Sequence, residues 1–467
     1  MAKVLFLQRF AEEWLGPMYI SSMLKSRGHQ CEVMIETLES DNDLRKLWAA
    51  SPDLIAVSCL TSDYHWAVSK AQDIKKQAKT PIILGGTHPT LNPEESISDP
   101  AIDMICIGEG EYPMVELAEA LDQNRDFSSI ANLWVKKDGI IIKNEFRALI
   151  EDLDLLPFPD RELYQKYAFF RKRGKRPIHL SRGCPYDCSY CHNAGKKRIF
   201  REKGAYVRWR SQDNILREIQ EIEQNRFIKV LHVIDDSFGI NSQWLITFLE
   251  KLAGTSKKKL VLQANMRADM VTEDLCASFE NYGLSLLRIR IAVETGNEDY
   301  RQKILKKNIS NRTLLKAADL FNKYRIDFIT YNMIGLPGES LALALETLRL
   351  NIQLKPSLAI CFVYQPYAGT ELSAYACRIG ALSSAALQNL GQREFEGFYD
   401  SRSPLRQKDI EKIDNLQKVF SLTVRHPSLY PIFKGIIKHR SAAPFLSMFY
   451  KIYVKRIMFQ RFLKDRY

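Results

Sequence analysis

The chain has 467 residues, 46% of them hydrophobic, enough for two or three domains with sizeable cores. Its net charge of +12 is concentrated at one end. Between Ser421 and Tyr467 ten Lys and Arg face a single acid, Asp465, so the body is close to neutral and overall charge gives no reason to expect nucleic acid. Six of the nine cysteines (Cys31, Cys59, Cys106, Cys276, Cys361 and Cys377) lie singly among apolar residues, as expected of reduced thiols in a cytoplasmic protein. The apolar stretch after Met1-Ala2-Lys3, Val4 to Leu7, is far too short for a signal or a membrane span.

Through residues 1–125, β-type runs alternate with helix-type runs. Strands are expected at Val4 to Gln8, Glu32 to Ile35, Leu54 to Cys59, Ile82 to Gly85 and Met104 to Ile107. Helices are expected over Tyr19 to Ser26, Asp43 to Ala49, His65 to Gln77 and Tyr112 to Ala120. The pattern predicts an α/β, Rossmann-like (flavodoxin-like) parallel sheet, which binds ligands at the carboxyl ends of its strands. Those ends carry Ser58-Cys59-Leu60-Thr61, Gly85-Gly86-Thr87-His88-Pro89-Thr90 and Gly108-Glu109-Gly110-Glu111, small residues where a bulky ligand has to approach backbone.

These loops resemble the cobalamin-binding domain that precedes many radical S-adenosylmethionine enzymes. The resemblance implies cobalamin contacts from Ser58, Cys59, Leu60, Thr61, Gly85, Gly86, His88, Pro89, Gly108, Glu109 and Gly110. The alternative is a flavodoxin-like or Rossmann-like domain used as scaffold. One departure matters: other cobalamin domains carry Asp-x-His-x-x-Gly after the first strand, and nothing like it follows Gln8. The run Asp63-Tyr64-His65-Trp66-Ala67-Val68 lacks the glycine, lies after the third strand and reads as a helix start capped by Ser62 or Asp63. No axial protein histidine is therefore expected, and His88 is assigned a hydrogen bond to the corrin edge.

Residues 126–170 read as a connection. Leu133 to Lys143 is a hairpin around Lys137-Asp138-Gly139, and Leu153 to Pro159 is an extended linker because Pro157 and Pro159 forbid helix. A second alternation fills residues 171–376, with strands at Ile178 to Ser181, Val230 to Ile234, Leu260 to Ala264, Leu287 to Val293, Phe328 to Met333 and Ala359 to Tyr364.

After the first of these strands comes Arg182-Gly183-Cys184-Pro185-Tyr186-Asp187-Cys188-Ser189-Tyr190-Cys191. Three thiolates at this spacing can take three corners of a cubane [4Fe-4S] cluster, where a ferredoxin site supplies four, and one iron is left open. A zinc knuckle is the competing reading. Structural zinc is nearly always closed by four ligands in Cys-x-x-Cys pairs, and His192, adjacent to Cys191, is poorly placed as the fourth.

With Tyr190 before the last cysteine, the motif resembles the radical S-adenosylmethionine signature, and the six β/α units resemble that superfamily's partial (β/α)6 TIM-like barrel. Chemistry in such barrels sits at the carboxyl ends of the strands. The resemblance implies S-adenosylmethionine contacts from Tyr190, from Asp235, Asp236 and Ser237 to the amino group, and from Arg267 to the carboxylate or a ribose. It further implies Glu294, in Glu294-Thr295-Gly296, for the ribose or methionine, and Ile334, Gly335 and Pro337 in the adenine loop Met333 to Glu339. Gln365 to Leu372 resembles a stretch typical of the cobalamin branch. Each run alone reads as a helix cap or a turn; their order behind the cysteines carries the likeness.

The implied activity is reductive cleavage of S-adenosylmethionine to a 5′-deoxyadenosyl radical and, through methylcobalamin, methylation of an unactivated carbon. The alternative is a radical oxidative cyclisation or ring rearrangement. A tRNA methylthiotransferase, which would hold a second cluster on Cys31, Cys59 and Cys106, is disfavoured because Cys31 begins a strand away from the loop that holds Cys59. The implied partners are a small-molecule or lipid-like substrate and an electron donor such as flavodoxin or ferredoxin. Residues 377–467 read as a basic helical segment. Its apolar positions from Phe445 to Leu463 suit either an anionic membrane surface or a cap on the bottom of the barrel.

Overall fold

The computed structural model describes residues 1–39, 51–283, 287–389 and 402–453. The helix expected over Asp43 to Ala49 and the tail beyond residue 453 lie outside the described residues.

The first sheet has seven strands, β1 (Lys3–Gln8), β2 (Gln30–Ile35), β3 (Leu54–Ser58), β4 (Ile82–Gly85), β5 (Met104–Cys106), β6 (Leu133–Lys137) and β7 (Ile140–Lys143), in the order β2-β1-β3-β4-β5-β6-β7. The first five run parallel. Their near-continuous apolar runs follow from burial on both faces, as in β4, where Ile82, Ile83 and Leu84 are all buried. The expected hairpin extends this sheet, because β6 pairs antiparallel with β5. Asp138 and Gly139 both have positive φ (51° and 79°), the type I′ geometry that Asp-Gly favours.

The expected extended linker is packed. Leu153–Leu155 forms a 3-10 turn, and Ile150, Leu153, Leu156, Leu163, Tyr164 and Phe170 join the core of the first sheet. The Tyr164 hydroxyl donates to Gln8 Oε1 (2.9 Å) and accepts from the Trp14 amide (3.3 Å). The prolines prevent helix, but the apolar residues on either side of them still bury.

The second sheet has six parallel strands in the order β15-β14-β13-β12-β11-β8: β8 (Lys175–Ile178), β11 (Val230–Val233), β12 (Val261–Met266), β13 (Leu287–Glu294), β14 (Asp327–Ile334) and β15 (Leu358–Val363). β8 ends earlier than expected, because Ser181–Arg182 (β9) turns away to pair with Arg208–Trp209 (β10). This directs the cysteine loop across the barrel mouth. The barrel is not closed: β8 and β15 are the two ends of the sheet.

The helix Ile410–Arg425 covers the β15 edge. Its Ser421 hydroxyl and Gln417 amide donate to the Ala359 and Cys361 carbonyls, so side chains satisfy backbone groups that a next strand would have taken. In helical residues 443–453, Leu446 and Tyr450 are buried, whereas Phe445, Met448 and Ile452 are exposed. Part of the C-terminal region therefore closes the side of the barrel rather than its bottom. Among the described residues no helix is long and apolar enough to cross a membrane.

Candidate active site between the two sheets

The carboxyl ends of both sheets face one cavity of about 350 Å³. The first sheet contributes Ser58, Gly85, Gly86, Gly108, Glu109 and Gly110 to its wall, over an apolar floor that includes Phe6, Ala56, Ile83 and Met114. The barrel contributes Arg182, Gly183, His192, Asn193, Lys196 and Asp236. Two glycines of the first sheet have no tolerable alternative. Gly86 (φ +96°) would bring a Cβ to 3.0 Å from the Cys59 backbone, and Gly108 (φ +86°) would bring one to 2.4 Å from the Phe200 ring.

Five residues assigned to the first-sheet ligand do not line this cavity: Cys59, Leu60, Thr61, His88 and Pro89. His88 is the clearest of these. The chain after Gly86 is helical (Thr87–Leu91), which rotates the imidazole into the protein. There it is fully buried, stacked on Tyr64 (centroids 4.1 Å apart) and within 3.2 Å of Thr61 Oγ1. Glu95 approaches Nε2 only to 3.5 Å, too long for a hydrogen bond, and burial lowers the imidazole pKa to about 4.

Glu109 lines the cavity with its carboxylate committed elsewhere. Oε1 accepts from Arg182 (2.9 Å) and is 3.0 Å from Arg208, and Oε2 accepts from the Ile150 amide (2.8 Å). Arg182 also donates to Glu111 (2.6 Å). Burial works against the carboxylate, but Arg182 and Arg208 prevail and hold its pKa below the usual range. Arg182 stands two residues before Cys184, so the wall of the first-sheet cavity is tied to the root of the cysteine loop. No local spacing announces these pairs, whose members lie about 70 to 100 residues apart.

The cysteine loop is held by hydrogen bonds. The amide of Ser189 donates to the Leu305 carbonyl (3.0 Å), and its hydroxyl to that of Ile304 (2.6 Å). Gly183 (φ +87°) is obligatory, since a Cβ would lie 2.0 Å from the Tyr206 carbonyl oxygen. Burial raises the thiols of Cys184 and Cys191, the latter to about 12, and neighbouring cysteine charge adds to both. Thiols so placed ionise only when a positive centre compensates them. Among the described residues no three His, Cys, Asp or Glu converge as a single ion requires. A cubane instead takes its thiolates at separate corners. Cys31, near the amino end of β2, stands at the opposite end of the sheet from Cys59 and Cys106, which explains why the three cannot share a cluster.

Of the residues expected to hold S-adenosylmethionine, Asp236, Arg267 and Glu294 lie beside this loop, and several are already in partnership. Asp235 accepts from the Leu180 amide (2.8 Å) and the Ser181 hydroxyl (2.6 Å), anchoring the bend that leads into the loop; burial raises its pKa to about 7. Asp236 lines the cavity. The Ser237 hydroxyl lies 3.6 Å from Met270 Sδ. Arg267 pairs with Asp269 (2.8 Å) and stacks over Tyr186 of the cysteine loop, 3.5 Å from the ring centroid.

Glu294, at a β-bulge, has φ +67°, a strained conformation for a non-glycine residue. Its Oε1 accepts from the Tyr190 hydroxyl (2.7 Å) and Lys307 Nζ (2.9 Å). Ile334 is buried, the Pro337 carbonyl accepts from the Tyr300 hydroxyl (2.6 Å), and the Gly335 and Leu336 amides donate to Glu339 Oε2 (2.6 and 3.2 Å). Burial raises the Glu339 carboxyl to about 8. Gln407 closes the same loop, accepting from the Gly338 amide and donating to the Leu336 carbonyl (both 2.8 Å). Lys307 and Gln407 carry no motif. Glu339 ends the quoted run, yet its role appears only when the turn folds back on it.

The fold and site define a two-sheet enzyme in which a ligand cavity of one sheet opens onto a cysteine loop in the mouth of a partial barrel. The family model of the B12 binding domain matches residues 9–118, and that of the radical SAM superfamily matches residues 178–350. The chain belongs to the radical S-adenosylmethionine enzymes that carry a cobalamin-binding domain. Its cofactors are a [4Fe-4S] cluster, S-adenosylmethionine and cobalamin. The three-thiol loop and the Cβ-free, apolar-floored cavity fit the first and last of these.

It is 26% identical to an uncharacterised methyltransferase of Pyrococcus horikoshii over 78% of each chain. It is also 26% identical to the anaerobic magnesium-protoporphyrin IX monomethyl ester cyclase of Rubrivivax gelatinosus, over 76% of this chain and 64% of that protein. The solved radical S-adenosylmethionine methyltransferase TsrM of Kitasatospora setae shares the fold (TM-score 0.68, 15% identity, 82% of this chain and 77% of that one).

Proposed function

We propose that the protein methylates an unactivated carbon of a small molecule, using S-adenosylmethionine both as radical source and as methyl donor. The observation that carries this reading is the single cavity walled by the glycine loops of the first sheet and by Arg182, Gly183 and Asp236 beside the cysteine loop. When bound, the cluster supplies the electron that cleaves S-adenosylmethionine, and cobalamin carries the methyl group. Cys184, Cys188 and Cys191 would hold the cluster. Ser58, Gly85, Gly86, Gly108 and Gly110 would offer backbone to the corrin.

The chain's own residues orient and shield. Lys307 neutralises Glu294 and, with Tyr190, fixes the carboxylate under the barrel mouth. Glu339 and Gln407 hold the Gly335 turn from two sides, ready for adenine. Arg267, through Tyr186 and Asp269, holds the flank of the cysteine loop. The Arg182–Glu109–Arg208 pairs keep the two sheets in register, so that neither cofactor pocket moves without the other.

Anaerobic incubation with S-adenosylmethionine and a reductant tests the reading. Methylation yields 5′-deoxyadenosine and S-adenosylhomocysteine together, whereas 5′-deoxyadenosine alone favours radical cyclisation, the second reading that the cyclase relative supports. The physiological reductant in this proposal is a flavodoxin or ferredoxin, and the site of action is the cytoplasm. The exposed Phe445, Met448 and Ile452 beside Lys451 support a peripheral contact with an anionic membrane. Equal flotation with anionic liposomes by full-length protein and by a chain ending before residue 443 would exclude that contact.

A further inference from the structure

In the function proposed above the cluster takes one electron from outside the chain. The cysteine loop is enclosed on most sides: Ser189 is held by the Ile304 and Leu305 carbonyls, Tyr190 by Glu294, and Tyr186 lies under Arg267. Its inner side opens on the cavity that the ligands fill, where His192 and Asp236 lie. From Arg182 to Cys191 only Pro185 and Asp187 are exposed, so this tip is where the loop meets solvent. A carrier protein too large for the cavity reaches the cluster there.

That tip sits on a basic surface. Cys191 caps the helix His192–Ile199, and Lys197 in its last turn donates to the Pro185 carbonyl (2.8 Å) and pairs with Asp187 (2.7 Å). Tip and helix end therefore form one patch. Lys196 and Phe200 turn inward, the lysine to Thr87 Oγ1 (3.0 Å) and the ring into the core of the first sheet. Arg198 and Arg201 are exposed, and among the described residues neither makes an ion pair. Lys196 to Lys203 hold five cations and one acid, Glu202, a net charge of +4 in a body that is otherwise near neutral. The other acids nearby are Asp187, already covered by Lys197, and Glu151, beside Gly204. Cations in the last turn of a helix complement its dipole, but Arg201 and Lys203 lie beyond the helix, where that reason no longer applies.

We propose that Arg198, Arg201 and Lys203, with the tip at residues 185–187, form the docking surface for the protein that reduces the cluster, a one-electron carrier with an acidic face. The inference rests on the function proposed above in requiring an external electron. Arg198 stands ~10 Å from Cys191 along the helix, so a partner held by the arginines brings its redox centre beside the loop. Opposite charge speeds the encounter and sets its orientation, and the attraction weakens with salt. In this step the carrier loses one electron and the cluster gains it; no bond breaks and no proton moves.

The test follows cluster reduction in full-length, reconstituted protein by stopped-flow absorbance, with reduced flavodoxin, an acidic carrier, and separately with reduced methyl viologen, a small cation. At low salt, flavodoxin is expected to reduce the double variant Arg198→Glu/Arg201→Glu about tenfold or more slowly than wild type, with no slowing by methyl viologen. Salt at about 0.5 M should close most of that gap. Arg198→Lys/Arg201→Lys and the surface variant Lys251→Glu should both stay near wild type. An unchanged flavodoxin rate in the charge-reversed variant, or no reduction of wild type by flavodoxin, overturns the proposal. If both donors are slowed, the variant has damaged the cluster and wild type decides: a flavodoxin rate that does not fall with salt overturns the proposal. Loss of binding to anionic liposomes with the flavodoxin rate unchanged makes the patch a membrane contact and overturns it too. Formation of 5′-deoxyadenosine and S-adenosylhomocysteine with methyl viologen as reductant is scored in parallel. Both products without discrimination by flavodoxin sink this surface alone, and discrimination without S-adenosylhomocysteine sinks the proposed function alone.

Discussion

The two sheets present their carboxyl ends to the same cavity by opposite means. The first offers backbone: Gly85, Gly86, Gly108 and Gly110 line it, and its one charged contribution beside Glu111, Glu109, is bound to arginines of the barrel. The barrel offers side chains, and nearly all of them are engaged before any ligand arrives, Asp235 by Ser181, Glu294 by Tyr190 and Lys307, Arg267 by Asp269. A site made by omitting Cβ atoms is specific in shape and fails when something is added. A site made of paired charges is specific in orientation and fails when something is removed.

Variants that add and variants that remove separate the two halves. Removal at the cysteine loop has the largest effect: Cys188→Ser should abolish cleavage of S-adenosylmethionine and reduce bound iron, while the first sheet still takes up cobalamin. Iron content and cobalamin retention on gel filtration read the two halves independently. Addition at Gly108 comes next. Gly108→Ala places a methyl 2.4 Å from Phe200 at φ +86°, so cobalamin affinity should fall by about a hundredfold while iron content stays at the wild-type level. Loss of iron as well would mean that the halves are not separable.

What the sequence made legible follows the same division. The glycine loops and the cysteine run are local patterns, readable because each needs only its own few residues. The surroundings of His88 were not legible in that pattern: two short helices, Thr87–Leu91 and Pro93–Ser98, stand where the Gly-Gly and Pro residues suggested a loop. The Glu109–Arg182–Arg208 pairs were not legible because their partners meet only through the packing of two domains. The half-buried face of β13 had a signal, Arg288 and Arg290 alternating with Leu287, Ile289 and Ile291. An alternating strand is ordinarily read as polar toward solvent, and in a barrel that sense has to be inverted.

Glu294→Gln tests the paired-charge half more gently. Lys307 keeps an amide oxygen to donate to but loses its counter-charge, and the bulge at φ +67° is unchanged. The KM for S-adenosylmethionine should rise about tenfold, with a smaller change in kcat and none in cobalamin retention. A loss confined to kcat would instead assign the carboxylate to the reacting atoms.

The smallest expected effect lies in the first sheet, at a histidine buried beside its glycine loops. The His88 imidazole stays neutral in the folded protein down to about pH 4, whereas in the unfolded chain it protonates near its ordinary value of 6.5. Between these values the unfolded state binds more protons, so this group's contribution is fully present above pH 6.5 and is lost as the pH falls. By pH 6 the loss should be about 1 kcal/mol, visible as a downward shift in Tm on going from pH 8 to pH 6. Glu95, whose carboxyl is raised by burial, works in the opposite direction, toward greater stability as the pH falls. His88→Gln keeps a polar group toward Thr61 and should flatten the slope without abolishing cobalamin retention, since the imidazole faces Tyr64 and not the cavity. If His88→Gln releases cobalamin while leaving the pH slope unchanged, the histidine belongs to the ligand, and the first sheet does not hold its cofactor by backbone alone.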